Sequence, residues 1–436
     1  MKMKTKQSKR LNKKLDTKLS KSYLPILLAT VMMTLCVVGC ASAKAAGSTD
    51  LTQGVSASNN VIGRIADAEF IESVADFSID LFKESITEGE NSLISPLSVV
   101  LALAMTANGA DGETLSQMEA LLGGGIALGE LNEYLYGYAK GLPNEEKSKL
   151  SIANSIWFRG DEDRLRVEPD FLQRNADYYN AAAYRAAFDS QTLKDINDWV
   201  KNNTDGMIDR ILDEIGDKAV LYLINAITFD AEWYNVYREY NIVKDIFTDI
   251  AGLTNSVDYM YSDEYGYLDD GMATGFIKPY VGGYGFAALL PNEDISVETY
   301  IESLTGESFL NTLNNAQGNM MVHASMPKFE YDYETNMNDA LITLGIPDAF
   351  NPNAADFSKM GRSSDGNLFI GRVLHKTFMS VNENGTKAGA ATMVEMRDGS
   401  TGASDFKTVH LNRPFVYAII DYATSLPVFI GTLMTV

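Results

Sequence analysis

Side chains suited to acid–base or nucleophilic chemistry are scarce in this sequence. It holds three histidines, His323, His375 and His410, and two cysteines, Cys36 and Cys40. It contains no HExxH, CxxC, phosphate-loop or dinucleotide-binding glycine pattern, and no GxSxG turn. A Ser-His-Asp relay would have to recruit one of the three histidines. His375 lies in Leu374-His375-Lys376-Thr377-Phe378, a strand-like alternation that suits a hydrogen-bonded core imidazole better than a base. Carboxylates are plentiful, but no pair has the spacing of a glycosidase or a metal site, so neither catalysis nor a metal is expected.

The informative segment is instead Asn382-Glu383-Asn384-Gly385-Thr386-Lys387-Ala388-Gly389-Ala390-Ala391-Thr392. Here the backbone, not a side chain, is the reactive feature. An acidic residue and a glycine pivot precede a run of very small groups, which could slide into a packed place without overfilling it. With period two, Thr386, Ala388, Ala390, Thr392, Val394 and Met396 share one face. Lys387, Gly389, Ala391, Met393, Glu395 and Arg397 share the other. Gly and Ala are poor strand formers, however, and Asp398-Gly399-Ser400-Thr401-Gly402 reads as an exposed loop. The window alone fits two readings: a loop able to become a strand, or a small-residue linker.

The elements that must hold this segment alternate without a βαβ rhythm. Helical periodicity runs through residues 66–84, 98–122 and 193–203, and short apolar runs at 221–229, 285–290 and 414–420 read as buried strands. The class is mixed α+β with large sheets. The 436 residues, 46% hydrophobic, are ample for a large core, and no linker or repeat divides the chain after residue 65. The N-terminus is different. Residues 1–22 carry nine Lys or Arg against one Asp, and an apolar run follows over 24–38, the pattern of an export signal. Val37-Val38-Gly39-Cys40 is similar to a bacterial lipobox, which would make residues 1–39 the signal and Cys40 a lipidated first residue. Cleavage after Ala43 or Ala45 is the alternative. Residues 40–64 then read as a polar tether and 65–436 as the domain. The net charge of −22 includes the basic leader, so the chain beyond it stands near −30, which disfavours nucleic acid. With Cys36 inside the leader, the mature chain can hold no intramolecular disulfide.

Several motifs, in one order across residues 65–436, resemble those of the serpins. They are Asn91-Ser92-Leu93-Ile94-Ser95-Pro96-Leu97-Ser98; Leu223-Ile224-Asn225-Ala226-Ile227-Thr228-Phe229 with Trp233; Met326-Pro327-Lys328-Phe329; Leu344-Gly345-Ile346-Pro347-Asp348-Ala349-Phe350; Ala355-Asp356-Phe357-Ser358; His375-Lys376; and Asn412-Arg413-Pro414-Phe415-Val416. The resemblance implies three β-sheets, about nine helices and an exposed reactive-centre loop. It makes Glu383, Gly385, Thr386, Ala388, Gly389, Ala390 and Ala391 the loop's hinge. Ser95, Ser98, Asn225 and His375 become the shutter, where the central sheet opens, and Trp233, Lys328 and Glu383 the breach, where insertion begins. Counting from Glu383 at the family's spacing places the scissile bond at Gly399-Ser400, with Met396 and Arg397 as alternatives. Two departures stand out: Gly389 replaces the usual alanine, and Met207 stands where a lysine commonly follows Thr-x-Gly. Neither blocks insertion, and at the hinge the inserting face is Thr386, Ala388 and Ala390, without bulk or charge. The resemblance therefore implies a monomeric suicide inhibitor, without cofactor, that forms a covalent complex with an extracellular serine protease of elastase-like or subtilisin-like preference. A non-inhibitory binding protein of the same family is the alternative, and a hydrolase with an unrecognised constellation is the third reading.

Overall fold

The computed structural model describes residues 47–160, 163–216, 219–364, 366–386 and 406–436. In chain order it begins with β1 (Thr49–Asp50), α1 (Ala68–Ser85), β2 (Ser92–Ile94), α2 (Pro96–Ala107), α3 (Gly112–Gly123) and α4 (Leu128–Gly141). It continues with β3 (Ser148–Arg159), β4 (Leu165–Val167), α5 (Pro169–Tyr179), β5 (Ala182–Ala186), α6 (Ser190–Asn203) and β6 (Leu221–Glu232). Next come β7 (Ile242–Thr248), β8 (Thr254–Asp269), β9 (Ala273–Pro279), β10 (Tyr284–Pro291), α7 (Val297–Ser303) and α8 (Gly306–Asn314). The remainder is β11 (Gln317–Pro327), β12 (Phe329–Asn336), α9 (Asn338–Thr343), α10 (Pro347–Phe350), β13 (Gly361–Ser363), β14 (Arg372–Val381), β15 (Gly385–Thr386), β16 (Phe406–His410), β17 (Phe415–Asp421) and β18 (Pro427–Leu433).

These strands form three sheets, in the expected α+β class. The seven-stranded sheet runs β1-β5-β3-β6-β15-β14-β12. The nine-stranded sheet runs β16-β11-β8-β9-β10-β17-β18-β2, with β7 on β8, and β4 pairs with β13. The apolar run read at 221–229 is buried throughout as part of β6, the central strand of the first sheet. A strand covered on both faces needs no polar alternation, which is why it reads as a continuous run. Between the sheets lies α2, all twelve of its residues buried. It starts at Pro96, whose missing N–H costs nothing at a first helical position, with Ser95 as its cap.

Two expectations need correction. The single helical stretch at 98–122 is two helices. Asp111 takes an extended backbone and caps α3 through the N–H of Gly112. Gly109 lies so close to Met360 that a Cβ there would sit 2.3 Å from the Met360 side chain, so the chain turns where periodicity alone would continue it. Residues 47–64, expected as part of a tether, lie on the body. β1 adds a strand beside β5, Ser48 bonds Asp195 at 2.6 Å, and the Ser58 N–H donates to Asp177 at 2.7 Å. Arg64 bridges Glu130 at 3.0 Å and Glu133 at 2.7 Å, both on α4. Leu51 packs against the core, but the segment has no regular apolar pattern to betray its docking, because backbone ladders, side-chain hydrogen bonds and charge pairs supply the rest of its contacts.

This docking yields a first prediction. A Cβ on Gly137 would fall 2.0 Å from the Arg64 carbonyl oxygen. Gly137→Ala should therefore lift Arg64 from α4 at a cost of about 1–3 kcal/mol, the usual range for overpacking. Limited trypsin digestion should cut after Arg64 several-fold faster, while the melt of the body stays cooperative. Unchanged cutting would show that this contact does not hold the segment.

Candidate functional site

The two middle strands of the first sheet meet over only part of their length. β14 pairs in parallel with β6 from Arg372↔Tyr222 to Lys376↔Ala226. Beyond that, β15 lies between them: Thr386 pairs with Val381 of β14 and with Ala231 of β6, and Gly385 with Glu232. The chain therefore turns back at Asn382–Asn384 and starts down into the mouth of the sheet.

At the point where the strands separate sits a buried polar cluster. The Ser95 N–H donates to Nε2 of His375 at 3.0 Å, so Nδ1 carries the proton and donates to Asn225 Oδ1 at 3.3 Å. Asn225 also accepts from the Ser98 hydroxyl, and its amide donates to the Ser98 carbonyl at 2.8 Å and to Asn154 Oδ1 at 2.5 Å. The four residues Ser95, Ser98, Asn225 and His375 are thus brought together from α2, β6 and β14. Asn154, on β3, joins them without a motif to announce it. Thr377 extends the cluster by donating to the Leu93 carbonyl at 2.8 Å. Burial pushes the His375 imidazole down to about 3, leaving it neutral.

The turn at Asn382–Asn384, which leads to the expected hinge, is held by a second set of contacts. Lys328 and Glu383 pair at 2.6 Å, both partly exposed, and the lysine's hydrogen bond holds the Glu383 carboxyl below its ordinary range. Trp233 grips the turn twice, donating from its indole to the Asn382 carbonyl at 2.8 Å and from its backbone to Asn384 at 2.9 Å. The Tyr237 N–H donates to the Glu383 carbonyl at 3.0 Å. Thr386 is 1% exposed and bonds the hydroxyl of buried Tyr280. Gly385 is obligatory: a Cβ there would lie 1.9 Å from the Ala231 carbonyl oxygen. Tyr237 and Tyr280 were missed in the sequence, where they look like ordinary apolar-run aromatics.

Ala388, Gly389, Ala390, Ala391 and the candidate bonds at Gly399-Ser400, Met396 and Arg397 lie outside the described residues, as does Cys40. Among the described residues no group of three or more His, Cys, Asp or Glu is placed to hold a metal. His410 does approach both a serine and an aspartate, bonding Ser325 through Nδ1 with Nε2 3.6 Å from Asp245. Ser325, however, is buried mid-strand, with β11 laddered to β8 on one side and β16 on the other. That backbone is engaged in the sheet and not free to polarise a carbonyl.

A family model described as "Serpin (serine protease inhibitor)" matches residues 72–436. The chain belongs to the serpin family. Human neuroserpin is 28% identical over 382 residues, covering 83% of this chain and 91% of neuroserpin. The leukocyte elastase inhibitor of Xenopus tropicalis is 30% identical over 379 residues, 81% of this chain and 96% of the frog protein. The thermophilic serpin tengpin, in its native state, is 54% identical with a TM-score of 0.85, over 89% of this chain and all of the solved chain. Against tengpin in its latent state the TM-score is 0.76, at 52% identity over 86% of this chain and all of the other. The higher score against the native form agrees with the parted strands β6 and β14. Serpins are generally inhibitors, not catalysts, and they act on target proteases.

The neutral His375 sets a pH dependence. In the unfolded chain an imidazole takes up a proton as pH falls through about 6.5, whereas the folded site refuses it until about 3. The unfolded state binds more protons between these values, so stability is full above the upper one and falls progressively below it. The slope is at most about 1.4 kcal/mol per pH unit. In His375→Gln that contribution should vanish, and the stability advantage of the parent should shrink by about this slope for each unit below 6. Urea unfolding of both proteins from pH 7 to pH 4 measures it; parallel pH profiles would contradict a neutral buried imidazole.

Proposed function

We propose that this serpin is a suicide-substrate inhibitor of extracellular serine proteases. One observation carries the reading: the hinge residues Gly385 and Thr386 already stand between β6 and β14, at the mouth of strands that are not laddered to each other there. The residues that would follow them, Ala388 and Ala390 with Thr392, are small on the inserting face. In the proposed sequence a protease serine attacks the Gly399 carbonyl, the Gly399-Ser400 bond breaks, and Ser400 leaves as a new amino terminus. The loop, still esterified to the protease, then enters as a strand. Twelve residues from Thr386 to Arg397 span roughly 40 Å at ~3.3 Å each, enough to carry the protease toward the far end of the sheet. Water can then no longer complete the acyl-enzyme's hydrolysis. Met396 and Arg397 are the alternative attachment points, and Asp398 is a poor neighbour for a trypsin-like enzyme at Arg397. A small residue at the reactive position favours an elastase-like or subtilisin-like target, and the name of the frog relative points the same way. The inhibitor would act as a monomer, without cofactor, at a bacterial surface through lipid on Cys40 or after secretion.

Incubation with elastase, subtilisin and trypsin followed by denaturing gels tests this. The parent should yield a covalent band of combined mass with at least one protease. Thr386→Arg must bury a charge without a partner and should shift the outcome from trapping to plain loop cleavage, lowering the covalent product by about tenfold or more. Cleavage without any covalent band in the parent would favour the non-inhibitory binding protein.

The anchor has its own test. Cys40→Ala should release the expressed protein from the bacterial membrane fraction, because lipidation at Cys40 would be its attachment. Membrane partitioning that is the same in both forms would replace the lipoprotein reading with cleavage after Ala43 or Ala45.

A further inference from the structure

Beneath the hinge lies an ion pair that no motif marks. Lys278 on β9 and Glu264 on β8 pair at 2.6 Å with side-chain exposures of 1% and 4%. Ser262 supplies a second hydrogen bond to the same carboxylate oxygen at 2.6 Å and lies 3.3 Å from the Tyr237 hydroxyl. The ammonium sits over two ring faces at once, 4.2 Å from the centroid of Tyr237 and 5.4 Å from that of Trp233. Both rings lead to the hinge. Trp233 stacks on Tyr280 at 4.2 Å, and Tyr280 bonds Thr386; Tyr237 holds the Glu383 carbonyl through its backbone.

Stability does not account for this arrangement. Desolvation pushes the Lys278 amine below its ordinary value. A buried pair of this kind can often be replaced by apolar residues of similar volume with no loss of stability. What a cation held against two aromatic faces does provide is a fixed orientation for both rings. We propose that Lys278, fixed by Glu264, is a positioning residue for loop insertion, holding Trp233 and Tyr237 so that the hinge stays seated in the mouth of the sheet. This inference rests on the insertion reading above. Its consequence is kinetic: once the loop is cut, a seated hinge begins insertion before water can release the protease, whereas an unseated one loses time in the same race.

The double variant Lys278→Met/Glu264→Gln removes both charges and keeps most of the volume, so neither group is left buried and unpaired. Hydrogen–deuterium exchange on the uncut protein is the direct readout. The amides of Trp233, Tyr237 and Asn382, which donate to Asn384, Glu383 and Gly385, should exchange about tenfold faster or more, while those of β17 and β18 keep their protection. With a protease that the parent traps, the ratio of covalent complex to cleaved inhibitor should fall several-fold. Unchanged exchange at the three amides, or a rise spread evenly over the chain, would overturn the proposal, the latter revealing a merely structural role. Should the double variant fail to fold, Glu264→Asp retracts the carboxylate while keeping both charges; the same three amides should then exchange faster by a smaller factor, and no change would count equally against the idea. If the parent traps no protease, the insertion reading falls, while the exchange measurement still decides whether Lys278 seats the hinge.

Discussion

A main-chain ladder that stops part-way governs this protein. β6 and β14 exchange hydrogen bonds as far as Ala226 and Lys376 and then separate. Backbone donors and acceptors inside a protein must find partners, so parted strands in a buried sheet leave a demand that only another strand can meet in full. β15 meets it for two residues at the top. The cluster of Ser95, Ser98, Asn154, Asn225 and His375 sits where the pairing ends, and its side chains come from three different strands and a helix. Such a network couples the strands and α2 while they are in place, yet each bond can be exchanged singly if they move.

The grip on the turn at Asn382–Asn384 shows how the same physics is used at two strengths. The partly exposed Lys328–Glu383 pair is worth little, on the order of 0.2–1 kcal/mol. Four backbone carbonyl or hydroxyl contacts made by Trp233, Tyr237 and Tyr280 do more, because they fix the direction in which the chain re-enters the sheet. Gly385 makes that direction possible by letting two backbones approach closer than any side chain allows.

Much of this was legible in the sequence, for identifiable reasons. The buried run of β6 announced itself because a strand covered on both faces is apolar at most positions, with Asn225 and Thr228 as its polar members. Ser95, Ser98, Asn225 and His375 could be named because they sit inside motifs that recur together in the family. Asn154 could not, since a polar residue in the middle of Ser151-Ile152-Ala153-Asn154-Ser155 has no distinguishing context until β3 is placed beside β6. Lys278 was hidden for a related reason: a lysine next to a proline at a strand end reads as solvent-facing, and only the tertiary arrangement puts Glu264 and two rings around it. Docking of residues 47–64 escaped the sequence reading, because one core-packed residue, Leu51, makes no periodic signature and ladders and charge pairs make none. The break between α2 and α3 was likewise set by the approach of Met360, some 250 positions away in the chain.

The register of β18 has a consequence for the order of events during synthesis. β2 pairs with it through Ile94↔Ile430, Leu93↔Gly431 and Ser92↔Thr432, and β17 lies on its other side. The β2 edge of the nine-stranded sheet therefore joins residues 92–94 to residues 430–432, far later in the chain. Contacts of such separation form slowly, because a long loop must close before they return any free energy. A nascent chain that has not reached residues 427–433 has no partner to offer β2, however much of the rest it has collapsed. Pairing of β2 therefore waits until β18 has been made, however early β2 itself emerges.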